Sequence, residues 1–501
     1  MLNIQKKMSN PFLALLGLPA TAVGFALSTQ IAALSWILSN KYHLDIHDVA
    51  FVWLAGPIAG IFGQVIVGLL SDNVWFMGGR RRPFIIIGGL ISTIAFLTLP
   101  HIRGISHITG ISDIILIASV IALFLDLSIN VTFNPARSII ADLTPEGKIR
   151  TSGYVWMQII SGFFGVFAYF LSMVFGNEML LYIAAGIVFL TAVFPILFIQ
   201  EKKEIEQTKL EDIEKFGVWQ IFKEIFPLYG FLVFGVFSLF FHFFPDGLAA
   251  WHNPVLIGAL VYSVLIGIYI IIQGIHHKSN RNEFQKIMLA HSFTWVAFQS
   301  MFILTGFFIE NQILPNVKIS NIAANWFAEK LTGVTQTTGS SVGNIVSLGF
   351  FILNLIGAIF PLILQSIAKR IGRVKTYIFA LIFSVIGFFY IAYFSRLEID
   401  FYIGMFLVGI GWSAVISIVF AIMSERVNPA KMGLYMGVFN LAVVLPQMMS
   451  NGVANVIKAT GNHQLLYIFC GLFVATSVVF WIFVKEPESS TVDSNFSKGC
   501  H

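Results

Sequence analysis

The feature that most constrains this chain is repetition: about fourteen apolar runs, each long enough to cross a bilayer as a helix of roughly 20 residues. Water cannot be the solvent for most of the 501 residues, of which 57% are hydrophobic and only 11% charged, against about 25% charged in an ordinary soluble domain. In hydrocarbon, each unpaired backbone N–H or C=O costs several kcal/mol, so only helices and closed barrels span it. Continuous runs such as Leu180 to Phe198 and Tyr467 to Val484 lack the two-residue alternation of barrel strands. The expected class is therefore an all-α polytopic membrane protein. Lys6 and Lys7 precede an apolar stretch from Pro11 to Leu38; it is too long for a signal-peptide core and is expected to remain as the first helix.

The expected spans are 11–38, 48–71, 82–101, 112–141, 150–175 and 178–199, then 226–244 and 254–275, then 286–309, 344–367, 375–394, 400–423, 432–455 and 464–484. They group as six, two and six. Residues 1–199 form an N-terminal six-helix half and 200–225 a charged cytoplasmic linker. Residues 226–285 form an inserted transmembrane hairpin and loop, with Pro245-Asp246-Gly247 at its turn. A C-terminal six-helix half (286–485) and a cytoplasmic tail (486–501) complete the chain. With both termini inside, 23 of the 30 Lys and Arg residues fall in cytoplasmic segments, six fall outside, and Arg137 lies within a span, as the positive-inside rule requires. The expected location is a plasma (inner) membrane. The net charge of +5 includes no long basic tract, so no nucleic-acid partner is expected. Two cysteines, Cys470 in a span and Cys500 in the tail, give no reason to expect a disulfide.

After the second span stand Gly68, Asp72 and the triplet Arg80-Arg81-Arg82. Gly68 permits close helix approach, and three guanidinium forks could bridge carboxylates on the opposite bundle as a cytoplasmic gate. An arginine triplet could also serve only to anchor the loop inside. The pattern resembles the signature turn of the major facilitator superfamily. A weak repeat, GGRRRPF against KRIGRVKTY, places a copy in the second half, but Pro361 stands about where its acidic residue would be sought, so no matching latch is expected there.

Asp126 and Arg137 are the formal charges well inside a span, where charge is costly and usually faces a pathway. Eleven residues make about three helical turns, so both lie on one stripe roughly 16 Å apart and cannot pair directly. Mid-membrane burial disfavours the charged carboxylate, which suits Asp126 to carrying a proton; its bland alternative is a protonated group bonded to a neighbouring helix. Arg137 offers a planar set of donors, or simply snorkels to the headgroups. Other polar groups within spans are Gln30, Gln64, Asn130, Asn134, Gln158, Gln299, Asn354, Asn440 and Gln447. Amides suit sugar hydroxyls, and Trp295 or Trp53 could supply an aromatic platform for a sugar's apolar face, although amides also bond helix to helix. His242 and His291 are more simply structural.

Three blocks in order carry a closer resemblance. Asp126-x3-Asn130-x4-Pro135-x-Arg137-x4-Asp142-Leu143 resembles span four of the plant-type sucrose–proton symporters and their animal and bacterial relatives. Leu54-Ala-Gly56-Pro57-Ile-Ala-Gly60-x3-Gln64-x2-Val67-Gly68-x3-Asp72, continuing to Gly79-Arg-Arg-Arg-Pro-Phe-Ile85, is similar to the same group, as is Gly433-x3-Gly437-Val-Phe-Asn440-Leu-Ala-Val-Val-Leu-Pro446-Gln447. The resemblance implies a major facilitator bundle of two six-helix halves, here with an added hairpin. It also implies proton-coupled uptake of a disaccharide or glucoside, with Asp126 as the protonated carboxylate and Arg137 at the substrate site. Span seven keeps Thr294-Trp295 but has Thr305 and Phe307 where plant members carry acidic residues, which leaves sucrose, maltose and other glucosides all open. The expected partners are a sugar, a proton and the bilayer; a monomer without cofactor or metal is expected. Sodium-coupled glycoside symport, drug–proton antiport and a non-transporting sugar receptor are the competing readings. An intramembrane enzyme would need a nucleophile–base pair or ligand cluster, and no HExxH-type pattern occurs.

Overall fold

The computed structural model describes residues 8–60, 63, 75–144, 148–201, 222–276, 279–335, 337–427 and 432–486. Among them, eleven helices are long and apolar enough to cross a membrane, and two shorter apolar helices, Ile46–Gly60 and Phe226–His242, accompany them. No named strand occurs among the described residues; the extended pairing is one bridge, Phe76 with Gly79. In chain order the helices are α1 (Asn10–Trp36), α2 (Ile46–Val52), α3 (Arg82–Thr98), α4 (Ile102–Thr109), α5 (Ile114–Leu143), α6 (Lys148–Phe175), α7 (Asn177–Val188) and α8 (Phe194–Phe198). There follow α9 (Tyr229–Phe243), α10 (Pro245–His276), α11 (Asn280–Phe308), α12 (Ala323–Thr332), α13 (Thr338–Ile359) and α14 (Pro361–Ile371). The last are α15 (Arg373–Phe394), α16 (Glu398–Ser424), α17 (Met432–Gln447), α18 (Met449–Thr460) and α19 (Leu465–Ile482). The chain is thus an integral membrane protein built as a helical bundle.

Local chemistry sets the helix ends. Asp113 caps α5 by accepting from the Ile115 and Leu116 amides at 2.9 and 3.1 Å, and Asp45 caps α2 through His47 and Asp48, each satisfying donors that the first helical turn leaves open. Three expected features differ. Pro245-Asp246-Gly247 is the first turn of α10 rather than a loop, with the reversal at Phe244; proline at the first helical position costs no hydrogen bond and arrives with helical φ. The expected 344–367 span is two helices, because Pro361 starts α14. The expected 432–455 span likewise divides at Met448, just after Pro446. Pro446 has no N–H for the carbonyl of Ala442, four residues back. Ser292 Oγ of α11 shares its proton between the Met288 carbonyl at 2.8 Å and that carbonyl at 3.1 Å, the kind of repair a proline in a membrane helix requires.

The contacts divide the chain into two compact units, Met1–Phe216 with Ile309–Phe351, and Gly217–Phe308 with Ile352–His501. The boundary therefore departs from two contiguous halves: the 309–351 stretch belongs with the first. There Trp36 Nε1 donates to the Gly339 carbonyl at 2.7 Å, Ser347 Oγ to Ser172 Oγ at 2.8 Å, and α12 packs on α6. In the same unit α1 lies along α6 and α3 along α5. A Cβ on Gly17 would stand 2.8 Å from the Met157 backbone, and Ser92 and Ser128 share a 2.6 Å hydroxyl contact. In the second unit, α9 and α10 form the hairpin, α11 packs on α17 and α19, and α15 packs on α16 and α19. Hairpin residues meet α18: a Cβ on Gly452 would stand 2.7 Å from Leu256 and 2.8 Å from Phe234. Leu265, Ile268, Tyr269 and Ile272 on α10 are exposed and form an apolar face.

Small residues let helices approach where lipid gives no hydrophobic drive for association. On α16, a Cβ at Gly404 would collide with Ile391, and one at Gly411 with Ser384, both on α15; one at Gly186 on α7 meets nothing within 4 Å. Gly404→Val should lower thermal stability in detergent by about 1–3 kcal/mol through overpacking, while Gly186→Val leaves it nearly unchanged. Equal melting shifts in the two variants would contradict this packing.

Candidate functional site

Two polar centres stand out, one in each unit. In the first, Asp126 on α5 is buried and accepts from Gln30 Nε2 of α1 at 3.0 Å. Asn130, one turn on, donates to the Asp126 carbonyl at 2.8 Å. The opposite wall is glycine: ideal Cβ atoms on Gly56 and Gly63 would lie 3.5 Å from Asp126 Oδ2 and 2.9 Å from Asn130 Cβ. The carboxylate is thus enclosed by backbone and amides. No ion pair joins it to a cation among the described residues. Trp53 is buried, its indole donating to Ser35 Oγ at 2.8 Å.

Arg137 lies elsewhere on α5. It is exposed, its guanidinium 3.9 Å from the centroid of the Phe133 ring, a cation–π contact that holds charge without a carboxylate. Tyr154 Oη donates to its carbonyl at 3.2 Å, and Gln158, one turn beyond Tyr154 on α6, is exposed. Gln30, Asp126 and Asn130 are therefore brought together, whereas Arg137 and Gln158 are exposed on α5 and α6. The Asn134 side chain, Gln64, Gly68 and Asp72 lie outside the described residues.

The second centre surrounds Trp295 on α11. From Asn282 to Thr305 this helix is buried at every position except Trp295, which is half-buried. Its ring meets Trp412 of α16 edge to face at 5.8 Å, and Phe298 and Phe302 complete an aromatic wall around Trp412 at 5.0 and 5.4 Å. Trp412 Nε1 donates to Asn354 Oδ1 at 3.3 Å. A Cβ on Gly357 would stand 2.9 Å from Trp412 Cδ1, so glycine makes room for that indole. Trp295 Nε1 donates to His291 Nε2 at 2.8 Å. Gln299 is buried one turn beyond Trp295, and Asn440 and Gln447 are half-buried on α17. Of the expected amides, Asn354 is placed in the aromatic cluster by a hydrogen bond. Trp412, Tyr377 and His291 lie beyond the expected site; their spans read as apolar, and only the spacing of His291 and Trp295 by four residues signalled one helical face.

The arginine triplet forms a third cluster. Met77 and Gly78, with φ of 49° and 75°, make a tight reversal closed by two hydrogen bonds between Phe76 and Gly79. Two positive φ values in succession define a type I′ turn. Arg80 Nη2 and Arg81 Nε both reach Asp142 Oδ2, at 3.0 and 3.1 Å. Glu201 accepts from the Arg80, Arg81 and Arg82 amides, the shortest at 2.7 Å. Both of these carboxylates belong to the same unit as the triplet. In the second unit, where no latch was expected, Arg373 grips Glu425 through both terminal nitrogens at 2.6 and 2.8 Å. Glu486 accepts from the Arg373 and Val374 amides at 2.8 Å each. The acid comes from a different place than Pro361. The overlooked signal is a second repeat, Phe198-Ile-Gln-Glu201 and Phe483-Val-Lys-Glu486. Glycine precedes each capped helix because a Cβ on Gly79 or Gly372 would stand 2.5 or 2.9 Å from the capping carboxylate.

The profile of the Major Facilitator Superfamily matches residues 17–317 and 316–499. A sucrose transport protein of Arabidopsis thaliana is 32% identical over 122 residues, covering 23% of each chain. A general alpha-glucoside permease of Schizosaccharomyces pombe is 31% identical over 99 residues, 19% of this chain and 18% of that protein. The matched stretches span about a quarter or less of these relatives' length. Among solved structures, the nucleoside transporter NupG superposes with a TM-score of 0.61 at 12% identity, covering 97% of this chain and 100% of that one. A peptide transporter, POT, in complex with sulfate gives 0.62 at 13%, covering 94% and 93%; at these identities the likeness concerns the fold.

The carboxylates at the centre of each charge cluster make it sensitive to truncation. Asp142→Ala removes the acid shared by two nearly buried guanidiniums and should cost about 3 kcal/mol in detergent unfolding. Glu486→Ala, which uncaps α15, should cost about 1–2 kcal/mol. A smaller loss for Asp142→Ala than for Glu486→Ala would contradict the greater weight assigned to the shared acid.

Proposed function

Since this chain belongs to the major facilitator superfamily, we propose that it is a secondary active transporter that takes up a disaccharide or glucoside with a proton by alternating access. The reading places it in a plasma (inner) membrane with both termini cytoplasmic. The observation that carries it is the division of chemistry between the two centres. One holds a buried acid among neutral amides; the other offers an accessible indole face ringed by aromatic and amide groups. A sugar presents C–H bonds on one face and hydroxyls at its rim, which suits stacking on an aromatic surface with amides at the edge. The named relatives act on sucrose and alpha-glucosides by their descriptions, which supports the same substrate class here.

Asp126 supplies the coupling in this reading. Ionised, it accepts from Gln30; protonated, it becomes a donor as well, with no change in the enclosing glycines. A charged carboxylate in that enclosure is costly without further partners, so its proton state biases which conformations the bundle can adopt. Arg137 and Gln158 are accessory polar groups in this reading. The arginine clusters hold the ends of α3 and α15, and in this reading Arg80 to Arg82 belong to the cytoplasmic gate.

In proteoliposomes, Asp126→Asn should abolish pH-gradient-driven accumulation while sugar exchange down its own gradient persists. Full accumulation by that variant, or accumulation in the wild type driven by a sodium gradient at equal pH, would sink the proton-coupling reading. Trp295→Ala should raise KM by about tenfold or more, the worth of a buried aromatic contact, for whichever of sucrose, maltose and related glucosides is carried. Counterflow separates a transporter from a receptor, which binds without exchanging solute.

A further inference from the structure

His291 is 0% exposed and sits one turn before Trp295 on α11. Its Nε2 accepts from Trp295 Nε1 at 2.8 Å, and its Nδ1 lies 3.4 Å from Tyr377 Oη on α15. An imidazole nitrogen that accepts carries no proton, so the ring proton of the neutral form is assigned to Nδ1, facing Tyr377. The ring is clamped: Phe439 of α17 stacks on it at 5.1 Å and 13°, and the Tyr377 ring is in turn packed against Trp481 at 4.3 Å. His291 therefore has one geometry, and through it the indole has one as well. The consequence at the accessible surface is specific. With its only donor consumed, Trp295 can offer a solute its ring but no hydrogen bond.

We propose that His291 is a positioning residue that fixes Trp295 as a stacking surface for a pyranose ring whose axial C–H bonds form one uninterrupted apolar face. This rests on the sugar-transport reading and adds to it the residue that sets the platform's angle and the substrate feature the platform selects. Sugars whose axial hydroxyl interrupts that face should be taken up less well than those with all-equatorial hydroxyls. The acceptor is the part of His291 that matters: glutamine can place its side-chain oxygen near the Nε2 position, whereas leucine fills the space without accepting.

The test compares wild type, His291→Leu, His291→Gln, Trp295→Phe and the His291→Leu/Trp295→Phe double variant. Uptake of labelled glucosides into proteoliposomes is one readout. The ultraviolet resonance Raman marker of indole N–H hydrogen bonding, taken as a difference against Trp295→Phe in purified protein, is the other. His291→Leu should raise KM about fivefold, the worth of one hydrogen bond, with Vmax nearly unchanged and the Raman marker shifted to the unbonded position. His291→Gln should restore both. Because Trp295→Phe has no N–H to hold, adding His291→Leu to it should change KM no further. Additive losses in the double variant, or a Raman marker that ignores the His291 substitutions, would overturn the proposal. Absence of uptake of every glucoside by the wild type would instead overturn the transport reading, while the Raman comparison still decides whether His291 holds the indole.

Discussion

The structure depends on the absence of water from the hydrocarbon region. Backbone groups must then pair within their own helix, and side-chain polar groups must pair across helices or face a pathway. Several polar residues in spans are conspicuous by the arrangement made for them: Gln30 for Asp126, Ser35 for Trp53, Asn354 for Trp412 and Ser292 for the carbonyl freed by Pro446. Glycine supplies the other half of the arrangement. Where a carboxylate, an indole or a neighbouring helix must come within van der Waals reach, the facing residue is Gly56, Gly357 or Gly404.

The charged clusters follow a second rule that repeats in the two units. A helix start presents unpaired amides and the positive end of its dipole, and a glutamate at the end of a later span accepts from them: Glu201 at α3, Glu486 at α15. The arginine at the same helix start turns to another acid, Asp142 or Glu425. Both arrangements use the same three parts, although the loops joining them differ in sequence. This supports descent of the halves from one unit more directly than the arginine-rich turns do, since the pairing is preserved while the residue supplying the charge has changed.

Much of the fold was legible in the sequence because hydropathy alone fixes a membrane helix. The span boundaries came within a few residues for α5, α6, α15 and α19. The exceptions were proline effects: Pro361 and Pro446 divide apolar runs that hydropathy joins, and Pro245 begins a helix where a turn was expected. The candidate site was legible only in part. Asp126 and Trp295 announce themselves, one as a mid-span charge and the other beside a threonine on a recognisable span. Asn130 joined Asp126 because four residues make one turn. Partners from distant segments, such as Gln30 with Asp126 or His291 with Tyr377, depend on which helices are neighbours, and a single sequence does not state that. Arg137 shows the converse. It shares α5 with Asp126, yet three turns of helix separate their environments, and its guanidinium rests on Phe133.

The tie between Ser292 and the Ala442 carbonyl has a mechanical consequence. A proline removes one rung of a helical ladder and leaves a joint; here the loose end is fastened to α11 at the residue following His291. A swing of α17 about that joint would pull on α11 at the base of the indole platform, and Phe439, stacked on His291, would move with it. The bend is thus a lever with its fulcrum at a missing amide and its load at Trp295, so a flaw in one helix is converted into leverage on the ring of another.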